Sequence, residues 1–302
     1  MAPNQGVFYQ FEMGNTYTYQ AYFDLSSGTF QNSNSKFDWD LAFESDPTSN
    51  AIYLNSARLM RAFSTGSTHF DSVYAADPEL DWEWDKPNGR PGATAIGAWE
   101  ESDLVSAGEV YLIDLGVDEE GNSIGFRKLV ILSADEDRYE IRFAELDGGD
   151  LTEMTIERDV NRSRNCISLM DKMQLEIEPV SAEWDMHFTN YSEELWDGED
   201  TVSYLVTGVL INRYGTMAAF DDALTYEDIS LEDAVGLEMS NDANVIGYDW
   251  KYFDFDALSY SIVEGQHYIL RDVDGIYYKL RFLGFYNAQG EKGSPQFEYE
   301  KL

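Results

Sequence analysis

The sequence is short of cysteine, of positive charge and of long apolar runs, and each shortage excludes something. A single cysteine, Cys166, leaves no intramolecular disulfide to be made. It sits in Asn165-Cys-Ile-Ser-Leu169, beside apolar residues, and reads as a small buried hydrophobe with no base beside it in sequence to activate a thiol. Twenty Lys and Arg stand against 57 Asp and Glu, a net charge of -37. Such a chain repels phosphate backbones, which excludes nucleic acid as a partner, and it repels anionic membrane surfaces. The acids are spread over the whole chain and read as a solvated surface that keeps an exported protein soluble. No apolar run approaches the roughly 18 residues that a membrane-spanning helix needs. No signal peptide is present, and the opening Met-Ala-Pro-Asn-Gln-Gly is the kind of start left once an upstream export signal is removed. P-loop, GxGxxG, GxSxG, HExxH and CxxC patterns are all missing, so the expectation is a protein that is not an enzyme.

What the chain does have is strand-forming material. Tyr numbers 20 and Phe 17, against only 7 prolines, and both aromatics favour strands. Tyr17-Thr-Tyr-Gln-Ala-Tyr-Phe-Asp-Leu25 alternates aromatic and polar residues, and Ser26-Ser27-Gly28 turns before Thr29-Phe30 restarts. Near the end, Tyr268-Ile-Leu-Arg271, the turn signal Asp274-Gly275, the alternating Tyr277-Tyr-Lys-Leu-Arg-Phe282 and Gln296-Phe-Glu-Tyr-Glu300 spell a β-meander. Ser230-Leu-Glu-Asp-Ala-Val235 carries Ser with Asp three residues on, the opening of a short capped helix.

The order of segments repeats. Trp39-Asp-Leu-Ala-Phe43 is answered by Trp184-Asp-Met-His-Phe188, and Ile52-Tyr-Leu-Asn55 by Val209-Leu-Ile-Asn212. Met60-Arg-Ala-Phe63 is answered by Met217-Ala-Ala-Phe220, and Gly108-Glu-Val-Tyr-Leu-Ile113 by Gly265-Gln-His-Tyr-Ile-Leu270. The spacing is roughly 150 residues, one domain length. The expectation is an all-β chain of two tandem antiparallel, sandwich-like domains with few short helices. The first spans residues 7–158 and the second 165–302, parted by the polar run Asp159–Arg164. The copies differ most in 74–95 and 230–245, connecting segments of the kind where function varies.

Several of these stretches resemble the HmuY family of surface lipoproteins of Bacteroidetes-type bacteria. The resemblance rests on Tyr22-Phe-Asp-Leu-Ser-Ser-Gly28 leading to Trp39-Asp-Leu-Ala-Phe43, on Asn212 followed by Tyr214-Gly215, and above all on the tail IGYDW, YILRDVDGIYYKLRFLGFYN and GEKGSPQFEY. It implies an all-β fold, export, and an N-terminal lipid anchor upstream of residue 1. It also implies haem as ligand and a TonB-dependent outer-membrane transporter as partner. A doubled domain departs from the family's single-domain pattern.

Haem iron takes His or Met as axial ligand in an apolar slot. The chain offers three histidines. His69 sits in a polar loop. His187 lies within a strand, where a cross-strand partner is the plainer reading. His267 opens the YILR strand beside a Gly turn, at what would be a pocket rim. Met239 lies in the variable stretch of the second copy, where a lone Met more often fills core. The haem-ligand candidates are therefore His267, Met239 and His69, with the second copy favoured. Met60 and Met217, at matching places, read as core packing. Trp82, Trp84, Trp99 and Trp196 form a candidate aromatic surface for a sugar or a partner, the alternative being packing under a long loop. Asp114–Glu120 and Asp135–Asp137 lack the spacing of a calcium loop and read as hairpin tips. The alternative to haem capture is a surface adaptor lipoprotein that binds a protein or glycan.

Overall fold

The structure, a computed structural model, describes residues 7–77, 79–102, 105–196, 198 and 201–302. The opening hexapeptide lies outside the described residues. The fold is all-β, built from antiparallel sheets, as the alternation predicts. The chain divides into two compact units. A central unit holds Lys36–Val180 and Asn190–Val206. A terminal unit holds Met1–Ser35, Ser181–Thr189 and Thr207–Leu302.

In the central unit a five-stranded sheet runs in the spatial order Thr152–Glu157, Arg138–Ala144, Phe126–Ala134, Val110–Asp114, Arg61–Ser64. A four-stranded sheet has the order Met173–Leu175, Arg164–Ser168, Leu41–Glu44, Ile52–Leu54. Leu41, Phe43, Ile52 and Ile167 of the smaller sheet meet Tyr111, Ile113, Leu129, Ile131 and Ile141 of the larger in one core. This is sandwich packing, each strand giving alternate residues to the interior. Cys166 is buried here, and burial pushes its thiol well above the usual range, as expected of an inert residue.

The terminal unit has its own five-stranded sheet, in the order Val7–Gln10, Lys292–Lys301, Tyr277–Tyr286, His267–Arg271, Met217–Asp221. A four-stranded sheet runs Thr201–Ile211, Met186–Trp196, Tyr19–Asp24, Thr29–Ser35; of its two long strands, residues 186–189 and 207–211 belong to this unit and the rest to the central one. Phe23, Phe188, Ile211, Trp250, Tyr268, Leu280 and Phe297 are among its core.

The expected boundary is corrected. The run Asp159–Arg164 lies inside the central unit, and the strand that follows it pairs with Leu41–Glu44. Arg158 donates to the Glu44 carbonyl at 2.8 Å, and the Ser163 N–H to the Glu178 carboxylate at 2.9 Å. Residues 7–35, expected to open the first copy, belong to the terminal unit instead: Val7–Gln10 pairs with Lys292–Lys301, and Tyr19–Asp24 with Met186–Trp196. Local alternation marks a strand but not its distant partner.

The two units share one internal arrangement. Asp40 lies in the Trp-Asp pair that precedes Leu41–Glu44. Its N–H donates to the Ile167 carbonyl at 2.8 Å and its Oδ2 accepts from the Leu169 N–H at 2.6 Å. Asp185 does the same with the Phe23 carbonyl at 2.8 Å and the Leu25 N–H at 2.8 Å. Asn55 donates to the Lys36 and Trp39 carbonyls at 2.7 and 2.8 Å. Asn212 donates to the Ser181 and Trp184 carbonyls at 2.7 and 3.0 Å. All four side chains are buried. The difference lies in the counter-group: Asp40 pairs with Arg58 at 2.5 Å, whereas Asp185 meets the Thr216 hydroxyl at 2.7 Å. Asp40→Asn therefore strands a buried guanidinium, at a cost of roughly 3–5 kcal/mol. Asp185→Asn loses part of a hydrogen-bond set, roughly 1–2 kcal/mol. Urea midpoints should fall further for Asp40→Asn; equal midpoints, or the reverse order, contradict this.

Burial raises Asp85 to about 6, Glu178 to about 7 and Asp185 to about 6. Unfolded, these carboxyls titrate near 4. Between those values the folded chain binds more protons than the unfolded one, so stability rises as pH falls through that window. Two groups oppose this, His267, whose pKa is lowered mainly by burial, and Lys251, which burial lowers to about 7, against three carboxyls that favour it. Carboxyls held low by hydrogen bonds, such as Asp118 by Asn122 and Asp233 by Ser230, lose their contribution only below about pH 4. The thermal midpoint should be higher at pH 5 than at pH 7.5, by about 2–4 °C per kcal/mol gained. A lower midpoint at pH 5 contradicts this.

Candidate functional site

Two antiparallel strands of the terminal unit set the site. Met217 faces Arg271, Ala219 faces Ile269 and Asp221 faces His267. Period-two alternation sends Ala218, Tyr268 and Leu270 into the core and these other residues to the opposite face of the sheet. Part of that face is covered. Ile269 packs with Ile229, Ala234, Leu237 and Met239, below the helix Leu231–Gly236. The helix begins with the expected capping box: Ser230 and Asp233 exchange hydrogen bonds.

At the His267 end a cleft of about 400 Å³ remains, lined by Asp222–Glu227, Gly265, His267 and Arg281. His267 is only 5% exposed, and its Nδ1 has no hydrogen-bond partner; neither has Asp221 Oδ2 on the neighbouring strand. Burial and then the Arg281 charge lower the imidazole pKa, against the pull of Asp221. A neutral imidazole is the form that ligates metal. Tyr226 lies 5.7 Å from the imidazole, ring to ring. Arg281 is held by Glu298 at 2.5 Å and Glu227 at 3.1 Å, with its guanidinium 4.2 Å from the centre of the Tyr226 ring. The arrangement supplies one ligand nitrogen beside a carboxylate able to orient it.

The other sequence candidates fall elsewhere. Met239 fills the small cluster around Ile269 and does not line the cleft. His69 is exposed in a loop of the central unit, before the short turn Phe70–Ser72. His187 stacks on its cross-strand neighbour Tyr22 at 4.1 Å, the plainer reading. Met60 is core, but Met217 is half-buried with its sulfur 2.7 Å from Arg271, because its side chain points away from the sandwich interior.

Among the tryptophans, Trp99 is 2% exposed, belongs to the core and donates to the Asn50 carbonyl at 2.8 Å. Trp82 is also buried; its indole N–H meets the Asp77 carbonyl at 3.1 Å and its ring lies 5.6 Å from Phe126. Neither is a surface aromatic: the long 74–99 segment folds them back over the sheet. Trp84 is half-buried and lines a second cleft, about 530 Å³, in the central unit. Trp196 is 67% exposed, as expected of a surface residue. Sequence reasoning missed Asp221 opposite His267, Arg281 in the same cleft, and Arg61, Phe126 and Ser203 in the other. Cross-strand register or packing between sheets brings them together, and no local pattern carries either.

The family described as HmuY protein matches residues 16–299 in one span that takes in both units. No curated protein matches. Among solved structures, apo PinO from Porphyromonas gingivitis is 12% identical with a TM-score of 0.30, covering 99% of this chain and 98% of its own. A protein described as HmuY-like and heme binding, from Bacteroides vulgatus, is 12% identical with a TM-score of 0.26, covering 97% and 89%. An apo HmuY analog from Tannerella forsythia is 11% identical with a TM-score of 0.22, covering 98% and 95%. The span of the family match, nearly the whole sequence, decides the assignment: the chain belongs to the HmuY family.

Proposed function

We propose that this chain is a non-catalytic, surface-anchored lipoprotein that binds haem or a related porphyrin and passes it to a TonB-dependent outer-membrane transporter. Membership of the family supports haem as ligand. The observation that carries the site is His267: buried, pushed toward the neutral form, with an unpartnered nitrogen, on the wall of a cleft within the size range of ligand pockets. His267 would supply an axial ligand, Leu224 and Tyr226 apolar contact, and Asp221 an acceptor for the second ring nitrogen. Haem bound there supplies an iron-centred porphyrin as cargo.

A second reading has its own observation. In the terminal unit the hairpin of Lys251–Asp254 and Ser259–Ile262 carries Phe255 and Leu258 at its turn, 82% and 74% exposed. Exposed apolar side chains of that size favour a protein partner, the adaptor role.

Haem titration followed in the Soret band separates the two. The expected result is a saturable change at roughly tens of micromolar haem. His267→Ala should abolish it and Met239→Ala should leave it. Ligation should persist below pH 6.5, the ordinary histidine value. A silent Soret band, or one indifferent to His267→Ala, contradicts the assignment. If that silence comes with loss of transporter association in Phe255→Asp, the adaptor reading stands instead.

A further inference from the structure

The second cleft has a different chemistry, and we infer that it binds a neutral saccharide through Trp84, Phe126, Arg61, Asp114 and Ser203. Its volume, about 530 Å³, falls within the range of small-molecule pockets. Trp84 and Phe126 put aromatic rings in the lining, and Leu59 and Val117 add apolar wall. Arg61 Nε bonds Asp114 Oδ2 at 2.9 Å, and the guanidinium lies 4.8 Å from the Trp82 ring centre and 5.6 Å from that of Trp84. The other Asp114 oxygen accepts the Gly116 N–H at 3.0 Å. A fixed donor and a fixed acceptor thus stand side by side in a lining that also holds the Trp84 and Phe126 rings. Ser203 Oγ is buried in the same lining without a partner.

Elimination sets the ligand class. Asp114 and the net charge of -37 oppose an anion. Arg61, already stacked on the indoles, opposes a cation. A wholly apolar ligand would leave the Ser203 hydroxyl and the Arg61 amino groups unanswered. A wholly polar one would waste the Trp84 and Phe126 faces. A pyranose answers all of these, with polarised C–H groups against the electron-rich ring faces and hydroxyls for the Arg–Asp pair and the serine. This inference does not depend on haem binding.

The test is calorimetric titration of the full chain with methyl β-D-glucopyranoside, N-acetylglucosamine and maltotriose, with galacturonate as the charged control. At least one neutral sugar should bind. Trp84→Ala should weaken it about tenfold, an aromatic contact's worth of about 1.4 kcal/mol. Ser203→Ala should weaken it by a smaller factor. Trp84→Phe, which keeps a ring in place, should retain part of the affinity and stands in if Trp84→Ala fails to fold. No binding of any neutral sugar at millimolar concentration, preference for galacturonate, or affinity unchanged by loss of the Trp84 ring would overturn it.

Discussion

Each unit depends on one buried carboxylate that ties its four-stranded sheet to a strand far away in sequence. Asp40 and Asp185 each use their backbone N–H and a carboxylate oxygen to grip the strand beside them. Asn55 and Asn212 then fix the approach to that aspartate by donating to carbonyls on either side of the turn. Buried backbone groups must be answered, and here two side chains answer several at once. In the terminal unit the gripped strand comes from the N-terminal residues, so the unit closes only when the first and last parts of the chain meet. Such long-range closure is costly in loop entropy and must be repaid by packing around Phe23, Phe188 and Phe297.

Much of the architecture was legible. Alternation located the strands at Tyr19–Asp24, Arg61–Ser64, His267–Arg271 and Tyr277–Tyr286 to within a few residues. Asp274-Gly275 marked a true turn, with Gly275 at positive φ and its N–H on the Asp272 carbonyl. The matching Trp-Asp and Asn positions were visible in the sequence as a repeat. The meaning of the aspartates was not, because the groups that Asp40 and Asp185 grip lie more than a hundred residues away in sequence. Partner strands were the unreadable part, and so the boundary at Asp159–Arg164 was misplaced.

The site divides the same way. His267 beside a Gly turn read as a pocket rim, and Gly265 and His267 do line one cleft. Asp221 was invisible, since only the register of two strands puts it opposite His267. Trp82 and Trp99 misled because a tryptophan in a long acidic loop looks exposed until the loop folds back. The two clefts differ in character as their surroundings dictate. One is a histidine in a polar rim, with its charge suppressed by burial. The other is an aromatic wall with a neutralised Arg–Asp pair, inside a chain whose acidity leaves anionic ligands little to gain.

Iron-edge anomalous diffraction from crystals grown with haem tests the central assignment most directly. The account predicts an iron peak within coordination distance of the His267 imidazole, in the cleft formed by Asp222–Glu227 and Arg281. An iron peak elsewhere on the chain, or none at saturating haem, would contradict it.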